Sequence, residues 1–369
     1  MPPATVTLFL ALVLIACDGT ASGTGIQVPD NGQDYVPGVD WRTAAPAEVG
    51  LDASRIAAMQ GKVAAGRYGN VQGVLVVRYG FLAAEQYVGW SRDQAHTMQS
   101  VTKSVTSLLY GIQSQGGTLP ADGLERKVVD IFGRYAPLAN LDRNKQALTM
   151  RDLLTMRTGM DFWEQPYPGS PLDELNRSTG DWTRYILDRP MTGAPATTWA
   201  YNSGAAILTC SVLREVSGQS PDTFAESALF RPLGITGQRW YTSPYDGLPH
   251  CGGGLFLRPV DLARIGYLVL RHGRWGTTQV VPSAWIDLST RPVSRGAPVF
   301  FADYGAGYGH FWWVFPSRRG GSDSGIIAAS GAYGQWLFVV PRLDLVVVIV
   351  ADNGNGLDLL YNEILPAVR

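Results

Sequence analysis

The apolar and polar positions divide the chain into three blocks. Near the start, Gly73 to Tyr79 and Phe81 to Val88 are runs of β-favouring residues joined at Gly80, the pattern of two strands around a tight turn. Ahead of them, Leu51 to Ala64 carries apolar residues at helical spacing. From Ser100 to about Asp261 helical patterns dominate: Ser100–Ser114, Met150–Met156, Asp181–Leu187, Ser203–Val216 and Pro221–Phe230. Strand patterns return at Tyr308–Phe315, Gly325–Ser330, Tyr333–Val340 and Leu345–Ala351, and an apolar helix, Leu357–Val368, ends the chain. Turns at 79–81 and at Pro341-Arg342 make their flanking strands antiparallel neighbours. The expectation is an α+β fold. One antiparallel sheet is assembled from N- and C-terminal strands and flanked by helices, with a mostly helical subdomain inserted over about 101–250.

Composition narrows the function classes. The chain has 369 residues, 46% hydrophobic and 17% charged, enough apolar material for a large core. A net charge of −1 and the lack of a basic stripe exclude a nucleic-acid partner as the expectation. The histidines His96, His250, His272 and His310 show no HxH or HExxH spacing, so a zinc hydrolase is not expected, and the serine chemistry set out below needs no metal or cofactor.

The N-terminal segment reads as export machinery. Thr7 to Ala16 is an apolar run too short to span a bilayer, and it ends in Leu14-Ile15-Ala16-Cys17, which resembles the bacterial lipobox. The expected organisation is a signal peptide over 1–16, a flexible tether over 17–46 rich in Gly, Thr, Asp and Pro, and a hydrolase domain over 47–369. Cys17 would carry the lipid, and membrane contact would be through that anchor only, in the periplasm or cell envelope. Cys210 and Cys251 then remain in an oxidising compartment. They either pair or stay as buried free thiols, and the reading favours free thiols.

The segment Met98-Gln99-Ser100-Val101-Thr102-Lys103 carries the candidate chemistry. Val101, Val105, Leu108 and Ile112 form an apolar helical face, and Ser100 and Lys103 stand one turn apart on the same side. A serine hydroxyl needs a base to become a nucleophile, and a buried neutral lysine supplies one. Trp199-Ala200-Tyr201-Asn202-Ser203-Gly204 sets a tyrosine at a loop-to-helix junction, where its phenol can carry a proton. Ala329-Ser330-Gly331-Ala332-Tyr333-Gly334-Gln335 is a small-residue turn that lets a substrate reach the backbone N–H groups. Gly321-Ser322-Asp323-Ser324-Gly325 reads as a hairpin turn, and no Gly-x-Ser-x-Gly elbow is present.

These runs, with Leu153–Asp161, Leu229–Ile235, Gly252-Gly253-Gly254-Leu255 and Asp261-Leu262-Ala263-Arg264, resemble the β-lactamase-related serine hydrolases of class C type. The likeness covers about Ala47 to Val368 and is strongest to the 6-aminohexanoate-dimer-hydrolase-like and esterase branches. It implies a β-lactamase/transpeptidase-like fold with Ser100 as acylated nucleophile and Lys103 as its activator. Tyr201 would be the general base and then the acid to the leaving group, and the N–H groups of Ser100 and Ala332 the oxyanion hole. Ser203, Ser330 and Gly331 are expected to bind substrate. Trp163, which follows a predicted helix end, is assigned to the cleft with them, and Tyr167, Trp182 and Trp312 either line it or pack in the core, the default for most of these aromatics.

Two motifs depart from the family. Ser203 stands where β-lactamases have an asparagine, and Ala329-Ser330-Gly331 lacks the lysine of Lys-Thr-Gly. Both departures favour a small ester or linear amide over a β-lactam. The alternatives are a β-lactamase or D-amino-acid peptidase acting on cell-wall peptides, and a catalytically silent ligand-binding protein.

Overall fold

The structure, a computed structural model, describes residues 35–115, 123–295 and 300–369. The signal peptide, Cys17 and the first part of the tether lie outside the described residues. No helix among the described residues is long and apolar enough to cross a membrane.

The strands in chain order are β1 (Gly69–Arg78), β2 (Phe81–Tyr87), β3 (His96–Thr97), β4 (Arg239–Trp240), β5 (Leu255–Leu257), β6 (Arg274–Trp275) and β7 (Thr278–Gln279). They continue as β8 (Ser294–Arg295), β9 (Gly307–Tyr308), β10 (Trp313–Phe315), β11 (Ile326–Gly331), β12 (Gln335–Val340) and β13 (Leu345–Gly354). Eight of them form an antiparallel sheet in the order β2-β1-β13-β12-β11-β10-β9-β8. The N- and C-terminal parts of the chain meet near the β2 edge of the sheet, where β1 and β13 pair with Val74 opposite Ile349. Tyr79 and Gly80 turn β1 into β2 with positive φ at both positions, matching the right-handed twist of the flanking strands.

β12 and β13 are buried along almost their whole length, so both faces of the sheet must be covered. Successive residues of a strand point to opposite faces. Leu337 meets the helix Pro259–Leu270 at Gly266, where a Cβ would come within 2.5 Å of the leucine side chain. Its neighbour Trp336 meets Gly356, which opens the C-terminal helical segment. The sheet is thus sandwiched between the helix Pro259–Leu270 on one face and the chain's last turns on the other. On the insert side lies the helix Val101–Gln115, almost wholly buried. It packs against the helix Ser203–Ser217. A Cβ at its Gly111 would stand 2.1 Å from the Trp285 ring, which is why the residue there is glycine.

Three expectations change. Tyr308–Phe315 is not one strand. Phe311 takes φ +63° and His310 donates its N–H to Ser289, so β9 and β10 fold back with Trp313 opposite Tyr308. The closing helix is a short α-helix, Gly356–Leu359, followed by one wider and one tighter turn. The described end of the tether, from Tyr35, is docked. Trp41 is 4% exposed and sits edge-on to Tyr267. The buried Arg264 guanidinium donates to the carbonyls of Pro37, Gly38 and Val39. A buried guanidinium needs acceptors, and this segment supplies them. The Gly321–Gly325 segment does connect β10 and β11 as a hairpin loop.

Candidate active site

The turn that presents Ser100 is held from three directions. β3 pairs with β5, and the Met98 N–H donates to the Leu255 carbonyl, fixing the approach to the helix. Gln99 adopts φ +47°, a conformation that costs a side-chain-bearing residue energy and persists only where its surroundings enforce it. The Thr102 hydroxyl locks the turn by donating to the Gln99 carbonyl at 2.6 Å and accepting from the Leu255 N–H at 3.2 Å. Gly331, at the end of β11, presses on the same turn. A Cβ there would lie 2.5 Å from the Met98 carbonyl oxygen and 2.9 Å from the Gln99 Cβ. Ser100 therefore opens the helix Val101–Gln115 at the positive end of its dipole.

Lys103, one turn on, is 1% exposed. Its Nζ donates to Ser100 Oγ at 2.8 Å and to the Gly252 carbonyl at 2.6 Å, and it lies 4.8 Å from the centroid of the Tyr201 ring. Burial brings its pKa down to about 8, against the opposing pull of the Glu164 carboxylate.

Tyr201 precedes Asn202, whose side chain caps the helix Ser203–Ser217 by accepting the Ala205 N–H. The ring stacks on Trp313 at 6.1 Å. Burial and then Glu164 push its phenol well above the ordinary tyrosine range, while a hydrogen bond with Ser100 works the other way. The phenol is thus the protonated form at neutral pH.

Ser100, Ser203 and Ala332 line one cleft of 920 Å3, together with Gln99, Glu164, His250, Gly252 and Tyr333. Ala332 and Tyr333 belong to the turn between β11 and β12, where Tyr333 has φ +65° and is 61% exposed at the rim. Ser330 and Gly331 do not line that cleft. They face a second cavity of 640 Å3 beside the same turn, with Arg67, Trp336, Asn353 and Asn355. Trp163 is not a cleft residue either. It is 43% exposed, because the chain turns the next side chain, Glu164, inward to accept the Ser203 N–H. Tyr167 does reach the cleft, whereas Trp182 and Trp312 are core.

Cys210 and Cys251 are joined in a disulfide with Cα atoms 6.1 Å apart, which corrects the free-thiol expectation. Helix packing brings Cys210 against the loop 250–254, a proximity no local pattern encodes. The bond ties the helix Ser203–Ser217 to the loop whose Gly252 carbonyl receives Lys103.

Glu164 and His250 are among the cleft residues that escaped the sequence reading. Glu164 faces Lys103 and Tyr201 electrostatically from a loop with no motif of its own. His250 is 5% exposed, and neither ring nitrogen has a partner. Burial, then the charge of Lys103, hold it neutral with a pKa of about 4. Its place just before Gly252-Gly253-Gly254 was the available signal.

A family model described as Beta-lactamase matches residues 56–358. A 6-aminohexanoate-dimer hydrolase of Paenarthrobacter ureafaciens is 26% identical over 290 residues, covering 74% of this chain and 70% of that protein. Among solved structures, EstCE1, a hydrolase with promiscuous acyltransferase activity, superposes with a TM-score of 0.69 at 18% identity, over 86% of this chain and 98% of that one. A D-stereospecific amidohydrolase from Streptomyces sp. gives a TM-score of 0.64 at 15% identity, over 83% and 98%. The fold is the β-lactamase/transpeptidase-like one, and the chain belongs to the β-lactamase family of serine hydrolases.

Proposed function

We propose that the protein cleaves a small ester or linear amide through an acyl-enzyme on Ser100, with its own side chains supplying the acid–base chemistry. The observation that carries this is the contact of a buried, pKa-lowered Lys103 with Ser100 Oγ at 2.8 Å. Neutral Lys103 takes the hydroxyl proton as Oγ attacks the substrate carbonyl. The N–H groups of Ser100 and Ala332 hold the developing oxyanion. The raised phenol pKa makes Tyr201 the acid that protonates the leaving group, with Lys103 returning its proton to Tyr201. This gives the base role to Lys103 in place of Tyr201. Water then attacks the ester on Ser100 by the reverse proton route.

The linear-amide arm draws support from the relative named a 6-aminohexanoate-dimer hydrolase. A burst of p-nitrophenol from p-nitrophenyl butyrate, abolished in Ser100→Ala, tests the reading. A tenth of the wild-type rate remaining in that variant overturns it. The alternative reading is a β-lactamase, for which the cation Arg67 lines the second cavity beside Ser330 and not the cleft of Ser100. Nitrocefin turnover comparable to ester turnover would favour that alternative. We further propose export as a lipoprotein acylated at Cys17, on the lipobox-like run alone. A Cys17→Ser protein still in the membrane fraction would refute it.

A further inference from the structure

The turn between β11 and β12 separates two cavities, and the proposed reaction uses only one of them. Ala332 and Tyr333 line the 920 Å3 cleft of Ser100, whereas Ser330, Gly331 and Gly334 line the 640 Å3 cavity on the other side. A volume of that size is in the range of small-ligand sites. An aromatic contact links the second cavity to the reaction centre: Phe300, in its wall, stands edge-on to the Tyr201 ring at 5.7 Å. Tyr201 is the acid that meets the leaving group, so a leaving group that passes it runs toward this cavity.

The lining has its own chemistry. Phe301 and Trp336 form an aromatic wall, with ring centroids 5.3 Å apart. Trp336 is fixed from behind by Phe338, stacked on it at 4.8 Å, and from the side by Gly356, where a Cβ would stand 2.4 Å from the indole Cδ1. Asp358 is already engaged by Arg319 at 3.3 Å, Tyr304 at 2.9 Å and Asn355 at 2.8 Å. The exposed side chains of Asn353, Asn362 and Arg67 make no hydrogen bond or ion pair among the described residues.

Each free amide offers two donors and an acceptor, and the guanidinium offers donors. A pyranose matches this set. Its C–H face packs on rings, and each hydroxyl both donates and accepts. A carboxylate would use Arg67 alone and would face the acceptor oxygens of Asn353 and Asn362. Arg67 is also exposed, where solvent and salt screen its charge.

We propose that this cavity takes the alcohol half of the substrate and that the alcohol is a saccharide, so that the preferred substrate is an acyl sugar. The inference rests on the hydrolase reading above and adds the class of the leaving group to it. The bond broken is the one from the acyl carbon to the sugar oxygen, which departs with the proton of Tyr201.

The test compares kcat/KM for methyl 6-O-butyryl-α-D-glucopyranoside with that for propyl butyrate, in wild type, Asn353→Gly and Asn362→Ala. Both esters carry the same acyl group on a primary alcohol, so their ratio reads the leaving group alone. Asn353 has φ +70°, which glycine adopts freely, so Asn353→Gly removes the amide without straining the backbone. Wild type should favour the sugar ester roughly tenfold, and the ratio should fall about threefold in each variant, the scale of one neutral hydrogen bond. Each ratio is taken within one protein, so a general loss of rate does not enter it. The ester 3-butyryloxypropanoate probes the competing carboxylate chemistry. A sugar ester turned over no faster than propyl butyrate, unchanged ratios in both variants, or a preference for butyryloxypropanoate over the sugar ester overturns the inference. Propyl butyrate still hydrolysed through Ser100 would then keep the hydrolase reading; if none of the esters acylates Ser100, that reading fails first.

Discussion

Lys103 Nζ sits between Ser100 Oγ, at 2.8 Å, and the Gly252 carbonyl oxygen, at 2.6 Å, so one buried amine joins the nucleophile to the loop 250–254. Here its acceptors are a hydroxyl and a backbone carbonyl, which leave the amine free to lose a proton. Replacing Lys103 by alanine should lower kcat for ester hydrolysis by roughly 10²–10⁴, the range that a general base contributes. Lys103→Arg should not restore it, because guanidinium does not deprotonate in proteins. Steady-state kinetics on both variants, with circular dichroism as a check of folding, measure this.

The pH profile follows from the same amine. Its active form is neutral, and its pKa of about 8 puts the rising limb of kcat/KM near that pH, with a plateau above it. Glu164 raises the pKa by stabilising the ammonium. Removing the charge favours the neutral amine, so the limb should move to lower pH in Glu164→Gln. A shift to higher pH, or none, would remove Glu164 from the electrostatics of Lys103.

The contact of Gly331 with the Met98–Gln99 turn makes a steric prediction. Gly331→Ala puts a methyl group 2.5 Å from the Met98 carbonyl oxygen, backbone that cannot swing aside. The β11 end must withdraw, at a cost of about 1–3 kcal/mol, and the oxyanion hole proposed at the Ser100 and Ala332 N–H groups should open, lowering kcat. Gly61→Ala, in the helix Ala53–Ala64 with no atom within 4 Å of the added Cβ, is the control. It should stabilise by about 0.5–1 kcal/mol. Thermal denaturation and kcat on the two variants separate the effects.

The Cys210–Cys251 bond closes a loop between positions 41 apart in sequence. A cross-link over a loop of that size contributes about 4 kcal/mol by restricting the unfolded chain. The double serine variant should lose that stability in urea titration. It should also lose kcat, because Gly252 is next to Cys251 and positions Lys103. A full loss of stability with kcat untouched would mean that the loop keeps its place without the bond.

The legible parts of this protein are those with a local geometric rule behind them. Ser100 and Lys103 could be paired because helical spacing alone places them on one face. The strands β1, β2, β12 and β13 showed themselves as apolar runs between turn residues. What stayed hidden depends on contacts far apart in sequence. Arg264 binds carbonyls more than two hundred positions away, which no tether composition reveals. Glu164 becomes a cleft residue only because its loop folds onto Ser203. The break between β9 and β10 was masked by Phe311, an apolar residue occupying a left-handed turn position that apolar patterning reads as strand.

The central claim is covalent chemistry at Ser100, and intact mass spectrometry of the protein quenched during turnover of p-nitrophenyl butyrate tests it most directly. The account predicts one added butyryl group in wild type, mapped by peptide digestion to Ser100, and no adduct in Ser100→Ala. A butyryl group on any other residue, or the same adduct in Ser100→Ala, would contradict it.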